Sequence, residues 1–331
     1  MNHFVNPLHK YRCLVTGGLG YAGAWITEHL ARNGHDVFVL SRKDSKPSLR
    51  YPYTLIQADI EQLAPENLAD LIPENCQVVI HAASLNESFL PDYARQSLLV
   101  NALGTRNLLQ ALSLQKEKLK RTYPLFLYCS TFHVYGLSHG YITEQTPVAP
   151  RNDYALTHLF AEEYCRMFMR TAGIPFIILR LTNGYGAPKT PDSNKWYLLL
   201  NDICRNAITE GKIVLHSNPN MPRDFIWLGD VARTIERLIP RYDLAGNVYN
   251  VASGQAMPIG KIAQRVAELA RQYLKRPVPL IMPDDKKLFE QDSDLSLHVS
   301  NLALSEVIET GFQDHMAKEI LEIFSVATHF N

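Results

Sequence analysis

The segment Tyr11–Gly23 constrains this chain more than any other. An apolar, strand-like run, Tyr11–Thr16, enters the turn Gly17-Gly18-Leu19-Gly20-Tyr21-Ala22-Gly23, and a helical pattern over Tyr21–Asn33 follows. Glycine lets the backbone approach a pyrophosphate, and a helix N-terminus offers it unpaired N–H groups and a partial positive charge. A glycine triplet by itself also serves ordinary turns. Here the spacing G-x-x-G-x-x-G sits between a first strand and a helix, the context that a nucleotide site requires. Gly17, Gly20, Tyr21, Ala22 and Gly23 are therefore candidate cofactor contacts.

The alternation continues. Further strand-like runs are Asp36–Leu40, Thr54–Ala58, Gln77–Ala82, Pro124–Cys129 and Pro175–Leu181, with helical stretches at Pro91–Leu114 and Tyr154–Ala172. Strands alternating with helices predict an α/β fold, a Rossmann-type doubly wound parallel sheet covered on both faces. In 91–114 the apolar positions Tyr93, Leu98, Leu99, Ala102, Leu108, Leu109 and Leu112 recur at near-helical spacing, and Pro91 suits a first helical position. After about residue 184 the texture changes to Pro, Gly and Asn with less periodicity, before short strands at Phe225–Leu228 and Asn247–Val251 and a helical pattern at Met257–Tyr273. The expected organisation is an N-terminal extension (1–10), a nucleotide-binding domain (11–183 plus 225–252) and a smaller C-terminal substrate-binding lobe (184–224 plus 253–331).

Composition excludes several function classes. Lys plus Arg and Asp plus Glu both number 33, so the basic excess of a nucleic-acid binder is missing. No run reaches the ~18 apolar residues of a membrane span. The first fifteen residues lack the basic-then-apolar design of a signal peptide, which makes the cytoplasm the expected compartment. The five cysteines are scattered and contain no C-x-x-C pair, so neither a disulfide framework nor a metal site is expected.

The end of the second strand discriminates between cofactors. An acidic residue there binds the ribose 2′-hydroxyl of NAD, whereas an Arg accommodates the 2′-phosphate of NADP. The chain reads Val39-Leu40-Ser41-Arg42-Lys43, with no carboxylate until Asp44. Ser41, Arg42 and Lys43 suit a phosphate dianion, so NADP(H) is favoured over NAD(H). The alternative is a solvated basic loop.

With these residues in view, the chain resembles the extended short-chain dehydrogenase/reductases, the sugar-nucleotide epimerase, dehydratase and ketoreductase group. The resemblance runs through TGGLGYAG at 16–23, Asp59-Ile60, HAAS at 81–84, NALGTRNLL at 101–109, CSTFHVYG at 129–136, LRLTNGYGAP at 179–188, RDFIWLGDVA at 223–232 and YNVASGQ at 249–255. It covers nearly the whole chain, with the motifs in the family's order. It implies cofactor contacts at Asp59, Ile60, His81, Ala82, Ala83, Ser84, Asn101, Tyr154, His158 and Thr182, and substrate contacts at Ser84, Thr131, Asn183 and Arg223. It also implies a nucleotide-sugar substrate and a homodimer built on helices near 91–114 and 154–172.

By the same resemblance the catalytic residues are Thr131, Tyr154 and His158. Hydride transfer to a carbonyl builds negative charge on oxygen, which a phenol can protonate and a hydroxyl can stabilise. The family's Y-x-x-x-K motif departs here to Tyr154-Ala155-Leu156-Thr157-His158. Helical spacing places residue 158 beside Tyr154, but an imidazole supplies less positive field than an ammonium and is expected to bring a pH dependence near its own range. Phe132 and His133 stand where dehydrating or decarboxylating relatives carry acids, which argues against 4,6-dehydratase chemistry. The favoured expectation is NADPH-dependent reduction of a 4-keto sugar nucleotide. An NAD-dependent epimerase and a catalytically weak NADP(H)-binding regulatory protein are the alternatives.

Overall fold

The computed structural model describes residues 10–43, 49–119, 122–190, 195–283 and 296–328. Most of the expected N-terminal extension, and Asp44, lie outside these residues. The chain divides into two units, one comprising 1–136, 148–180 and 232–249, the other 137–147, 181–231 and 250–331.

The first unit is built on a seven-stranded parallel sheet. Its strands are β1 (Arg12–Thr16), β2 (Asp36–Ser41), β3 (Thr54–Gln57), β4 (Val78–His81), β5 (Leu125–Thr131), β7 (Phe176–Leu181) and β11 (Val248–Val251), in the order β11-β7-β5-β4-β1-β2-β3. Cys13 to Thr16 and Leu125 to Leu127 have no exposed surface, the mark of strands covered on both faces. Helices α2 (Pro65–Leu71), α4 (Gly104–Leu119) and α5 (Asp153–Ala172) share one apolar cluster with the sheet through Leu68, Leu108, Leu112, Phe126, Ala161 and Cys165. Helix α1 (Tyr21–Arg32) contributes nothing to that cluster. It is joined instead to α7 (Leu228–Leu238), where Glu236 accepts from His29 at 2.7 Å and Asn33 at 2.8 Å.

Strand order reverses between β1 and its two neighbours β2 and β4. In open α/β sheets that switch point, at the carboxyl ends of the strands, is where ligands bind. Helix α5 aims at the same end. Asn152 caps it, its side chain accepting from Ala155 N at 2.8 Å, and Gly173 at φ +78° closes it.

The stretch 91–114 differs from the single helix expected. Asp92 adopts φ +56°, so Pro91 lies in a turn and not at a first helical position. Helix α3 (Tyr93–Ser97) then passes into a π turn at Leu98–Leu103 before α4 begins. The apolar spacing persists through it because one wide turn re-phases the helix without ending it.

The second unit holds three small sheets and four helices among its described residues. Strand β6 (Gly140–Ile142) pairs in parallel with β14 (Leu297–Val299), which draws 137–147 away from the nucleotide-binding domain where sequence placed it. Strands β8 (Asn183–Tyr185), β10 (Pro222–Trp227) and β12 (Ala256–Pro258) form the second sheet, and β9 (Ile213–Val214) pairs with β13 (Leu280–Ile281). Helices α6 (Leu199–Thr209), α8 (Ile259–Leu274) and α10 (Met316–Thr328) enclose a core of Ile203, Cys204, Ile262, Val266, Ile320 and Phe324, with α9 (Leu302–Val307) beside β14 in sequence. No helix among the described residues is long and apolar enough to cross a membrane.

Candidate active site

The glycine turn joins β1 to α1 at the switch point. Gly17 N donates to Leu40 O at 3.1 Å and Gly20 N to Gly17 O at 2.8 Å. Gly17 has φ +68°, and a Cβ there would lie 2.6 Å from Ala83 Cα. At Gly23 a Cβ would fall 2.1 Å from Gly17 O, so α1 can begin directly under the turn only without one. Helix α1 has no side-chain cap and no acidic residue in its first turn. Its N–H groups are thus left for an anion. Gly20 is exposed, Ala22 half-buried and Tyr21 buried.

Beyond β2, Ser41 and Lys43 are half-buried and Arg42 is exposed, with Lys43 N donating to Ser41 Oγ at 3.3 Å. After β3, Asp59 accepts from Glu61 N at 3.0 Å, and Ile60 is buried against Gly104. Asn107 donates to Ile60 O at 3.1 Å, tying this loop to α4.

Two expected cofactor contacts turn out to lie beneath the site. His81 has no exposed surface; its ring bonds Thr16 at 2.5 Å and Thr105 at 2.8 Å, and burial pushes its pKa down to about 3. Asn101 is 1% exposed, accepting from Leu85 N at 2.7 Å and donating to Leu85 O and Thr157 Oγ1, both at 3.1 Å. Both polar ends of its amide are engaged. The physical reason is the same in each case: a polar group inside an α/β core must find protein partners, and these brace the strand-four loop. Ala82, Ala83 and Ser84 remain half-buried at the strand's end.

Helix α5 brings Tyr154 and His158 to that loop. Thr131, at the end of β5, accepts from His133 N at 3.2 Å, and the Thr131 and Ser84 hydroxyls adjoin the Tyr154 hydroxyl, each favouring its ionised form. Burial pushes the Tyr154 phenol up to about 12 despite those contacts. His158 is 2% exposed, its Nε2 3.0 Å from Ser84 Oγ and its Nδ1 2.7 Å from the Tyr128 hydroxyl. Burial holds its pKa down at about 3, with His81 and His133 adding to the effect. The imidazole is therefore neutral throughout the physiological range. The imidazole-range pH dependence expected from the sequence does not follow from this geometry, because both ring nitrogens are enclosed by hydroxyls and neither faces a carboxylate.

Sequence reasoning missed three supports of this arrangement. Thr157 accepts from Asn101 and donates to Tyr154 O at 3.1 Å, locking the loop to the helix; the i, i+3 spacing from Tyr154 was the available signal. Tyr128 closes the far side of His158. Glu162 is fully buried and receives Ser130 Oγ at 2.7 Å and Arg180 through Nε at 2.9 Å and Nη2 at 2.7 Å. That fork pins α5 to β5 and β7, and so holds Tyr154 opposite Thr131.

In the second unit, Thr182 donates to Asp224 Oδ1 at 2.6 Å and Asn183 Nδ2 donates to Asp224 O at 2.8 Å. Asp224 also accepts from Ser253 N and Oγ. The carboxylate is thus occupied without Arg223, whose half-buried guanidinium makes one long bond of 3.4 Å to Pro222 O. Among the described residues, no three or more His, Cys, Asp or Glu gather as a metal site.

Comparison with known proteins identifies the family and the fold. The model of the NAD dependent epimerase/dehydratase family matches residues 13–252. The chain is 32% identical over 277 residues to the GDP-6-deoxy-D-mannose reductase of Pseudomonas aeruginosa, covering 80% of this chain and 82% of that protein. It is 23% identical over 274 residues to an uncharacterized UDP-glucose epimerase of Bacillus subtilis, covering 78% and 82%. Among solved structures, RMD from Pseudomonas aeruginosa complexed with NADPH superposes with a TM-score of 0.75 at 25% identity, covering 97% of this chain and 99% of that one. The UDP-glucuronic acid 4-epimerase from Bacillus cereus in complex with NAD gives 0.77 at 18% identity, covering 97% of each, a likeness of fold.

Proposed function

The chain belongs to the NAD dependent epimerase/dehydratase family, and from that premise we propose that it is an NADPH-dependent reductase of a nucleotide-diphosphate 4-keto sugar. The observation that carries this reading is that, among the described residues, no cation contributes to the surroundings of Tyr154. With its pKa pushed up to about 12 and a neutral imidazole beside it, the phenol keeps its proton at neutral pH. It is equipped as an acid, which a ketone reduction needs, more than as the base that alcohol oxidation needs. An epimerase requires both in turn.

The glycine turn fits a dinucleotide. The space a Cβ would fill at Gly17 and Gly23 is closed by backbone, and the helix end above it is uncapped. Gly20, Tyr21 and Ala22 would border the pyrophosphate, Asp59 and Ile60 the adenine, and Ala82 to Ser84 the nicotinamide side. Ser41, Arg42 and Lys43 would hold a 2′-phosphate, which favours NADP(H). The relative from Pseudomonas named a reductase and the neighbour complexed with NADPH support the same choice.

When bound, the cofactor supplies the hydride. Tyr154 donates its proton to the sugar oxygen as charge develops there, and Thr131 orients that oxygen with a hydroxyl. Ser84 holds the phenol in place. Within the second unit, the Arg223 guanidinium, without a carboxylate partner among the described residues, and the Asn183 amide suit a diphosphate. Exposed Leu98 and Leu103 on the π turn and Leu156 and Phe160 on the adjoining α5 favour a homodimer through that face. Five free cysteines, four of them buried, suit the cytoplasm.

The test is NADPH oxidation with a panel of 4-keto sugars linked to GDP, dTDP and UDP. Turnover with at least one, lost in Tyr154→Phe at unchanged NADPH affinity, is expected. Binding of NADPH without oxidation by any substrate would refute the reductase and favour a regulatory role. Interconversion of 4-epimers without net oxidation would establish an epimerase.

A further inference from the structure

The Tyr128 hydroxyl reaches His158 from inside the molecule, on the side away from Tyr154's loop partners. Tyr128 lies on β5, 1% exposed, and its ring stacks between two imidazoles, 5.6 Å from that of His81 and 5.8 Å from that of His158, at 27° to each. Its hydroxyl has one hydrogen-bond partner among the described residues, His158 Nδ1 at 2.7 Å. A buried hydroxyl that only accepted would leave its own proton unsatisfied. Tyr128 therefore donates, Nδ1 is the acceptor, and a neutral imidazole must then carry its proton on Nε2. Nε2–H points at Ser84 Oγ, 3.0 Å away. Ser84 Oγ, accepting from the ring, is free to donate to the Tyr154 oxygen. The Tyr154 proton is then turned away from Ser84, toward Thr131 and the open side.

We propose that Tyr128 is a positioning residue for the proton donor: it fixes His158 as the Nε2–H tautomer and, through Ser84, turns the Tyr154 hydroxyl proton away from Ser84, toward Thr131 and the side where the reacting oxygen would lie. The arrangement replaces a fixed charge with a fixed direction. An ammonium at position 158 would lower the phenol's pKa from one side. A neutral ring whose tautomer is set from behind does not change the charge at Tyr154, but it removes the orientations in which the phenol points its proton back at Ser84. The last step rests on the reductase reading; the tautomer rests on contacts alone.

The experiment is long-range proton–nitrogen NMR of the full-length protein with 15N-labelled histidine, the His158 signals being assigned by their loss in His158→Asn. Wild type is expected to show a protonated Nε2 and an accepting Nδ1. In Tyr128→Phe, which retains the stacked ring, Nδ1 loses its donor and the signals move toward a mixture of tautomers. With a turned-over keto sugar, kcat in Tyr128→Phe falls roughly tenfold, the effect of one lost hydrogen bond, while KM and NADPH affinity stay within about twofold. Ser84→Ala lowers kcat while keeping the tautomer. A wild-type Nδ1–H tautomer overturns the proposal and needs no variant to be stable. An unchanged tautomer or an unchanged kcat in folded Tyr128→Phe overturns it too. If no keto sugar is turned over, the reductase reading and the orienting role fail together, while the imidazole signals still decide the tautomer.

Discussion

Replacing His158 with Lys restores a cation beside Tyr154 and tests whether its absence governs the phenol. The two rings lie 4.6 Å apart between centroids. A unit charge about 5 Å from the phenolate, at an effective dielectric of about 20, is worth about 3 kcal/mol, or about two pKa units. From its raised position of about 12, the phenol would fall to about 10. At pH 8 the ionised fraction then rises from roughly one in ten thousand to roughly one in a hundred. A more acidic phenol is a weaker base, so the gain in the alcohol-oxidising direction should be nearer tenfold than a hundredfold. The assay is the pH profile of that direction, with NADP⁺ and the alcohol product, for wild type and His158→Lys. The longer side chain has Tyr128 and Ser84 oxygens to donate to, yet overpacking should cost about 1–3 kcal/mol, so thermal unfolding and NADPH binding must accompany the rates. A folded, NADPH-binding variant whose alkaline limb coincides with that of wild type would refute the reasoning.

Arg42→Asp should weaken NADPH by roughly tenfold or more while sparing NADH, since it replaces a phosphate partner with a repelling carboxylate; calorimetry with both cofactors checks it, and equal affinities in wild type would remove its basis. Gly17→Ala combines a left-handed φ with a Cβ 2.6 Å from Ala83 Cα, so NADPH binding should be lost and thermal stability should drop by at least about 1 kcal/mol. Glu162→Ala leaves the Arg180 guanidinium buried without its carboxylate and should cost about 3–5 kcal/mol, measured by chemical denaturation, with turnover falling because α5 is no longer held to β5.

The order of strands and helices was legible because it depends on local signals: apolar runs, helical spacing, and glycines between β1 and α1. Tyr154, Ser84 and Thr131 were placed by motif, and the structure brings them together. What the sequence hid was which polar residues face inward. His81 and Asn101 look like surface ligands because they flank the cofactor loop, yet three-dimensional packing gives each a full set of internal partners. Tyr128 was invisible for a related reason. A tyrosine on a buried strand reads as core, and only the approach of α5 shows that its hydroxyl meets an imidazole. The stretch 137–147 was misplaced because β6 finds its partner at Leu297–Val299, a pairing of high sequence separation that no local pattern announces.

The π turn at Leu98–Leu103 has a consequence for the engineering of this chain. A π turn amounts to one residue more than a regular helix would hold in the same length. Deleting a single residue ahead of Asn101 would let the segment relax into an unbroken helix, a gain in backbone regularity. The same deletion would rotate Asn101 about 100° around the axis and withdraw its amide from Leu85 and Thr157. The helix would become more ordinary while the loop carrying Ser84 came loose from the helix carrying Tyr154. The locally unfavourable turn is thus what aims Asn101, and shortening this helix is a route by which the fold would survive while the chemistry is lost.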